Sequence, residues 1–316
     1  MTTAMFHVKH WPSAGKRGSK RGQDGSRGGL DGASRGLKTA GLAFCAAMLA
    51  ACSSPEDVAD KTGVGKATAT ASAGGNAAAT ASAAAAAEQA AGAVAFEDNS
   101  SKDEAVREFA YSWPAQVSAV PELVGRLTGE RDTLLADQKA EWNEAIREFA
   151  GQDCVSCVNR GFEKSWQVVA DLPRYLSLSA DFYVYTGGAH GNSAHDALVW
   201  DREAKAAFDP KAMFTSPAAL QTALGDAWCK ALKVERMKRM GDDYSDDGFF
   251  QCPPIADLTV LPGSSNKQTF NRIGLLAAPY VAGSYAEGTY EVTLPVTAAV
   301  LKAVKPEYKA AFAAAK

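Results

Sequence analysis

Long apolar runs are missing from this 316-residue chain. One apolar stretch, Thr39–Ala51 (TAGLAFCAAMLAA), falls short of the roughly 20 residues a helix needs to cross a bilayer. Histidine is scarce: the chain has four, and only His190 and His195 follow residue 51. Any imidazole chemistry past that point rests on those two. Basic charge also runs short there. Residues 1–51 hold eight Lys/Arg and two Asp/Glu, which leaves 25 basic against 34 acidic residues, a net charge of −9. That balance excludes nucleic acid as a partner bound through net charge. Arg236, Lys238 and Arg239 form one small basic patch. Roughly the first 95 residues show no core pattern. About 220 residues remain for folded structure, enough for one large domain or two small ones.

What is present at the N-terminus reads as an address. Residues 1–38 are rich in Gly, Lys and Arg, and Thr39–Ala51 has the length of a signal-peptide core. Leu49-Ala50-Ala51-Cys52 follows. It resembles the bacterial lipobox, which implies that Cys52 becomes the first mature residue and carries the acyl chains. Ser53 and Ser54 stand where an Asp would retain a lipoprotein at the inner membrane, so the expected location is the outer membrane, facing the periplasm. Residues 1–51 are longer than a signal needs. Met5–His10 (MFHVKH) can be encoded by a DNA string that is its own reverse complement and resembles the partition site of ParB-type proteins. The true translation start is therefore expected downstream. Residues 52–95 read as a linker: from Lys66 to Ala95, seventeen of thirty residues are Ala, with too little apolar surface to offset ordering entropy. As a coil it spans roughly 35 Å.

The folded region is organised around Ser177–Asp201 (SLSADFYVYTGGAHGNSAHDALVWD). Leu178, Ala180, Phe182 and Val184 alternate with Ser179, Asp181, Tyr183 and Tyr185, which predicts a strand with one buried and one wetter face. Gly187-Gly188-Ala189-His190-Gly191 breaks the pattern, and Ala197–Trp200 supplies a second extended run. The reading is a β-hairpin with a long glycine-lined tip. Before it, Phe109–Trp113 reads as a strand ending at Pro114, and Pro121–Phe149 as a helix interrupted near Gly125 or Gly129. Leu134, Gln138, Trp142, Ala145, Ile146 and Phe149 share that helix's apolar face. Phe162–Val169 is a further strand. After it, Ser216-Pro217 signals the start of a helix running to Met240. Asp257–Leu261 and Thr269–Ala277 read as a strand pair, Tyr290–Leu294 as a last strand, and Thr297–Ala315 as a short helix broken near Pro306. The expected class is α+β, a mainly antiparallel sheet with two substantial helices packed on it. The expected division is a small subdomain over 96–170 and a second domain over 171–316.

Two segments about ninety residues apart carry a family resemblance: YTGGAHGN at Tyr185–Asn192 and PYVAGSYAEGTYEVTLP at Pro279–Pro295. They resemble the extracytoplasmic domain of unknown function shared by the anti-sigma factor RsiV and the N-terminal part of the peptidoglycan deacetylase PdaC. FAYSWPAQ at Phe109–Gln116 resembles the smaller companion domain that precedes it there. The resemblance implies a sheet-based domain working outside the cytoplasm. In RsiV this region binds lysozyme. That role is not carried over, because a lipid anchor is expected here where RsiV has a transmembrane helix and a sigma-binding segment. No counterpart of the deacetylase's catalytic domain is expected. A lysozyme-like protein or peptidoglycan remains the expected class of partner.

Four cysteines follow Cys52: Cys154, Cys157, Cys229 and Cys252. An even count in an oxidising compartment favours disulfides, and the pairing read here is Cys154–Cys157 with Cys229–Cys252. Redox chemistry wants a CxxC at a helix N-terminus, whereas this one follows a helix C-terminus. The pairs Cys154/Cys157 and His190/His195 also have zinc-like spacings. His190 could act as a general base, with Asp181 or Asp196 orienting it and Ser193 as nucleophile; the alternative is a ring that holds the turn. Tyr185, Gly187, Gly188, His190 and Asn192 are the candidate ligand or turn residues. GGAHG lacks the phosphate-loop pattern. Asp243, Ser245, Asp247 and Gly248 match the opening of an EF-hand loop, but Pro254 stands where its Glu belongs. No cofactor or metal is expected. The resulting expectation is a lipid-anchored envelope protein with a non-catalytic binding domain. Its rival is an envelope hydrolase or metal-dependent enzyme centred on His190.

Overall fold

The computed structural model describes residues 92–245 and 251–315. The expected signal peptide, the expected lipid-attachment residue Cys52, the linker up to residue 91, and Asp246, Asp247 and Gly248 of the acidic loop lie outside the described residues.

The architecture is α+β. β1 (Val94–Glu97) and β2 (Ser100–Lys102) both run antiparallel to β3 (Ala105–Trp113). Every second residue of β3 is buried, from Ala105 to Trp113, and Pro114, with no N–H to donate, stands just past its end. Helix α1 (Pro121–Glu148) follows and returns the chain to β4 (Arg160–Asp171), which pairs with β3 in parallel. A parallel neighbour requires such a crossover. β5 (Tyr175–Tyr185) and β6 (Asn192–Asp201) form the hairpin read from the sequence, and β7 (Ala206–Phe208) closes the sheet. The sheet has seven strands in the order β1-β3-β4-β5-β6-β7, with β2 beside β3.

α1 runs unbroken for 28 residues, against the expected interruption. A Cβ on Gly125 or Gly129 would have nothing within 4 Å. Each glycine costs about 1 kcal/mol of helix propensity, and burial of Leu123, Leu127, Leu135, Trp142 and Ala145 outweighs it. Leu135 takes the deeper position expected of Leu134.

Helix α2 (Pro217–Met240) begins where Ser216-Pro217 predicts, and the Ser216 side chain accepts from the Ala219 N–H at 3.0 Å. Leu220, Leu224, Trp228 and Leu232 bury its inner face. β8 (Thr259–Gly263), β9 (Arg272–Ala277) and β10 (Tyr290–Pro295) make a second, antiparallel sheet. α3 (Ala298–Ala303), capped by Thr297, and a 3-10 turn at Pro306–Ala311 complete the chain's described elements.

Two cores share the large sheet. Phe109, Tyr111, Trp113, Trp166, Leu176, Leu178, Leu198 and Trp200 pack with α1 residues on one side. Ala170, Tyr175 and Val199 face the other core, with Trp228, Phe270, Ile273, Leu275 and Tyr290. The wetter face expected along β5 is therefore buried at Ser177, half-buried at Ser179 and first exposed at Asp181. A bulge between Val168 and Ala170 shifts β4 from the first core to the second. The boundary expected at residue 170 falls inside β4, among residues paired with β5 in one sheet. Among the described residues, no helix is long and apolar enough to cross a membrane.

Candidate functional site

The tip of the β5–β6 hairpin occupies residues 186–191. Gly187 has φ +100° and Gly188 φ +95°, angles open mainly to glycine. A Cβ on Gly187 would sit 2.9 Å from the Ser156 carbonyl oxygen. The third glycine serves differently: a Cβ on Gly191 would lie 2.3 Å from the Tyr183 ring, which covers it. Tyr185 donates its hydroxyl to the Gly188 carbonyl at 2.8 Å, and the Gly188 N–H donates to Ser156 O at 3.2 Å. Tyr185 is thus a brace across the tip. Asn192 is exposed at the start of β6. A strand follows the glycines, in keeping with the absence of a phosphate loop.

His190 is exposed and stacks on Tyr285, ring centroids 3.9 Å apart and planes 24° apart. Its Nδ1 lies 2.9 Å from the Gly191 carbonyl, so that nitrogen donates. Tyr280 lies beyond it, its ring 5.7 Å from that of Tyr285 and tilted by 33°, and is 52% exposed. Tyr280 also has φ +70°, a conformation that costs a bulky side chain about 1–3 kcal/mol and marks a candidate functional position. The loop between β9 and β10 that carries these tyrosines is tightly held. Arg236 donates to Ala282 O at 3.0 Å and Arg239 to Thr289 O at 3.0 Å. Glu287 accepts from the Ser284 N–H and the Tyr290 hydroxyl, both at 2.6 Å. Burial alone would raise the Glu287 carboxyl, but those bonds hold it below its ordinary range. Burial and the same carboxylate push the Tyr290 phenol up to about 12.

The carboxylates considered as partners of His190 go elsewhere. Asp181 faces His195 across the strand pair and accepts from its Nδ1 at 2.6 Å, while the Thr289 hydroxyl lies 3.0 Å from His195 Nε2. Asp196 pairs with Lys164 at 2.5 Å, a buried ammonium lying 4.9 Å from the Trp166 ring centroid. Ser193 stands opposite Tyr183. The Asp181–His195–Thr289 chain ties the hairpin to the tyrosine loop. Its carboxylate is 60% exposed and its imidazole 10%, so the charged end meets solvent while the imidazole is largely covered.

Both disulfides form as read, Cys154–Cys157 and Cys229–Cys252. The zinc set is accordingly not assembled: its thiols are bonded to each other and its imidazoles point to different partners. Among the described residues, no three His, Cys, Asp or Glu side chains gather to hold a metal ion. One premise changes. Cys154 does not merely trail α1; it caps a one-turn helix, Val155–Val158.

Residues 100–193 match the family model for deacetylase PdaC. The resemblance drawn from Phe109–Gln116 and Tyr185–Asn192 is borne out over that PdaC-type segment. The chain is also similar to a DUF3298 family protein from Pseudomonas aeruginosa, at 18% identity over 68% of this chain and 93% of that one, TM-score 0.42. A DUF3298 family member from Bacteroides fragilis is 14% identical over 64% and 89%, TM-score 0.34. No curated protein matches the chain. The residues that sequence reasoning missed are Tyr280, Tyr285 and Thr289. Pro279–Pro295 was marked only through the family resemblance, and none of its residues was singled out, because nothing local says that it reaches a hairpin some ninety residues earlier.

Proposed function

We propose that the folded part binds a protein or cell-wall ligand at the hairpin tip without doing chemistry, on a chain held by lipid at Cys52 in the cell envelope. The observation that carries this reading is the aromatic cluster His190–Tyr285–Tyr280, exposed at both ends and half-buried at its middle ring, set on a hairpin and a loop that are both braced from behind. Exposed aromatic faces on a rigid support bind with little ordering cost, and the strained backbone of Tyr280 is the kind of outlier that binding sites retain. The PdaC-type match supports an envelope-associated domain; the lipobox-like Leu49–Cys52 supports the anchor.

Peptidoglycan sedimentation and capture with immobilised lysozyme-like proteins test the binding. Tyr285→Ala is expected to weaken binding about tenfold, the loss of one stacked ring, with the fold retained by circular dichroism. Unchanged binding, or no binding by the parent chain, overturns the reading. A hydrolase remains the rival, and the Asp181–His195–Thr289 chain favours it over a site at His190. An ester- or amide-cleaving activity lost in His195→Ala would establish it.

A further inference from the structure

We infer that Cys154–Cys157 is a thiol–disulfide exchange site, taking a thiol or dithiol as its reactant, and that its redox state is read by the hairpin tip. Three observations converge. First, both cysteines are only half-buried, and Cys154 borders an open groove of about 480 Å³. Ile146, Phe149, Val155 and Val158 line that groove beside Lys102, Asp103 and Glu104, which gives a thiol-bearing partner segment an apolar strip with a charged rim to lie on. Cys229 and Cys252 are half-buried too, but they pack against the second core.

Second, the two rings differ in what they do for folding. The cysteines are three residues apart in one and 23 in the other. On the chain-entropy account the smaller ring restrains the unfolded chain less, by a factor of roughly 15 in the folding equilibrium. Opening it therefore costs the fold less than opening the other. Third, the ring is wired to the tip. Ser156 lies inside it, and its carbonyl accepts from Gly188 N–H at 3.2 Å and faces the Tyr185 hydroxyl at 3.4 Å. Gly187 has no room for a Cβ against the same oxygen. The neighbouring Cys157 and Asn159 carbonyls are held by Arg160 Nη1 at 3.0 and 2.8 Å.

The exchange is a two-electron step. A reductant thiolate attacks one sulfur of the pair, forms a mixed disulfide, and expels the other as a thiolate that takes up a proton. The reductant's second thiol then closes its own disulfide, leaving two thiols on the chain. Reduction frees Ser156 from the ring and loosens the bond that Gly188 makes to it. Nothing in this depends on what the tip binds.

The full chain is titrated with dithiothreitol, quenched by alkylation and mapped by mass spectrometry, with amide hydrogen exchange followed in parallel. Cys154 and Cys157 are expected to be alkylated at about tenfold lower reductant than Cys229 and Cys252. Far-UV circular dichroism stays native, and Gly188 exchanges about fivefold faster once the ring opens. C154A/C157A should show that faster exchange without reductant. Tyr185→Phe should speed exchange at the tip and leave the reduction midpoint where it was. If the two disulfides open together, if the first opens only as the fold is lost, or if Gly188 exchange ignores reduction, the inference fails. The wild-type titration decides this even where the double variant does not fold.

Discussion

Gly187 is under two constraints at once, a left-handed backbone angle and a backbone oxygen 2.9 Å from where a Cβ would stand. Gly187→Ala is expected to cost about 1–3 kcal/mol, read as a lower unfolding midpoint. Gly191→Ala should cost less, because only the swinging end of Tyr183 must give way. Glu287 makes a pH prediction. Its carboxyl is held below the ordinary value of 4.5, so its contribution is present above that pH and is lost as pH falls through the lower folded value. Thermal melts from pH 7 to pH 3 should therefore show Glu287→Gln less stable than wild type at neutrality, with the gap closing in acid; a constant gap would remove the carboxylate from the account. The two histidines show where sequence reading stops. His190 and His195 are five residues apart, and which of them meets Asp181 depends on hairpin register. Three glycines in the tip left its length open, so the register was not readable and Asp181 was considered for the wrong ring.

Elements with local signals were legible to the residue. α2 starts at Pro217 because Ser216 can cap it and proline is preorganised for a first helical turn. Ser216→Ala is expected to lose about 1 kcal/mol, checked by chemical denaturation; no loss would mean that tertiary packing alone sets the boundary. The alternation of β5 and β10 and the end of β3 before Pro114 were legible for similar reasons, whereas β10 takes in Pro295, paired with Arg272, one residue past the expected stop. The parallel pairing of β3 with β4 was not legible, because strand partners are chosen by contacts distant in sequence. The unbroken α1 was misread for the converse reason. Local propensity penalises Gly125 and Gly129, but the sheet beneath rewards continuity.

Among the described residues a seven-stranded sheet is shared by two cores, and a three-stranded sheet packs into the second, an arrangement that the α+β reading anticipated only in class. The expected boundary at residue 170 followed a change of pattern, yet the bonds between β4 and β5 cross it. A fragment ending at residue 170 would keep Trp166 and α1 but lose Leu176, Leu178, Leu198 and Trp200 from the same core. It is expected to stay unfolded by circular dichroism and amide dispersion, and a folded fragment would show that the first core is self-sufficient. The bulge in β4 carries a last consequence. Because Trp166 serves one layer and Ala170 the other, the spacing along that strand cannot drift: a residue gained or lost there would hand every later side chain to the wrong neighbours. As lineages diverge, length change should accumulate in the connection between β8 and β9 and leave the stretch from Trp166 to Tyr175 at constant count.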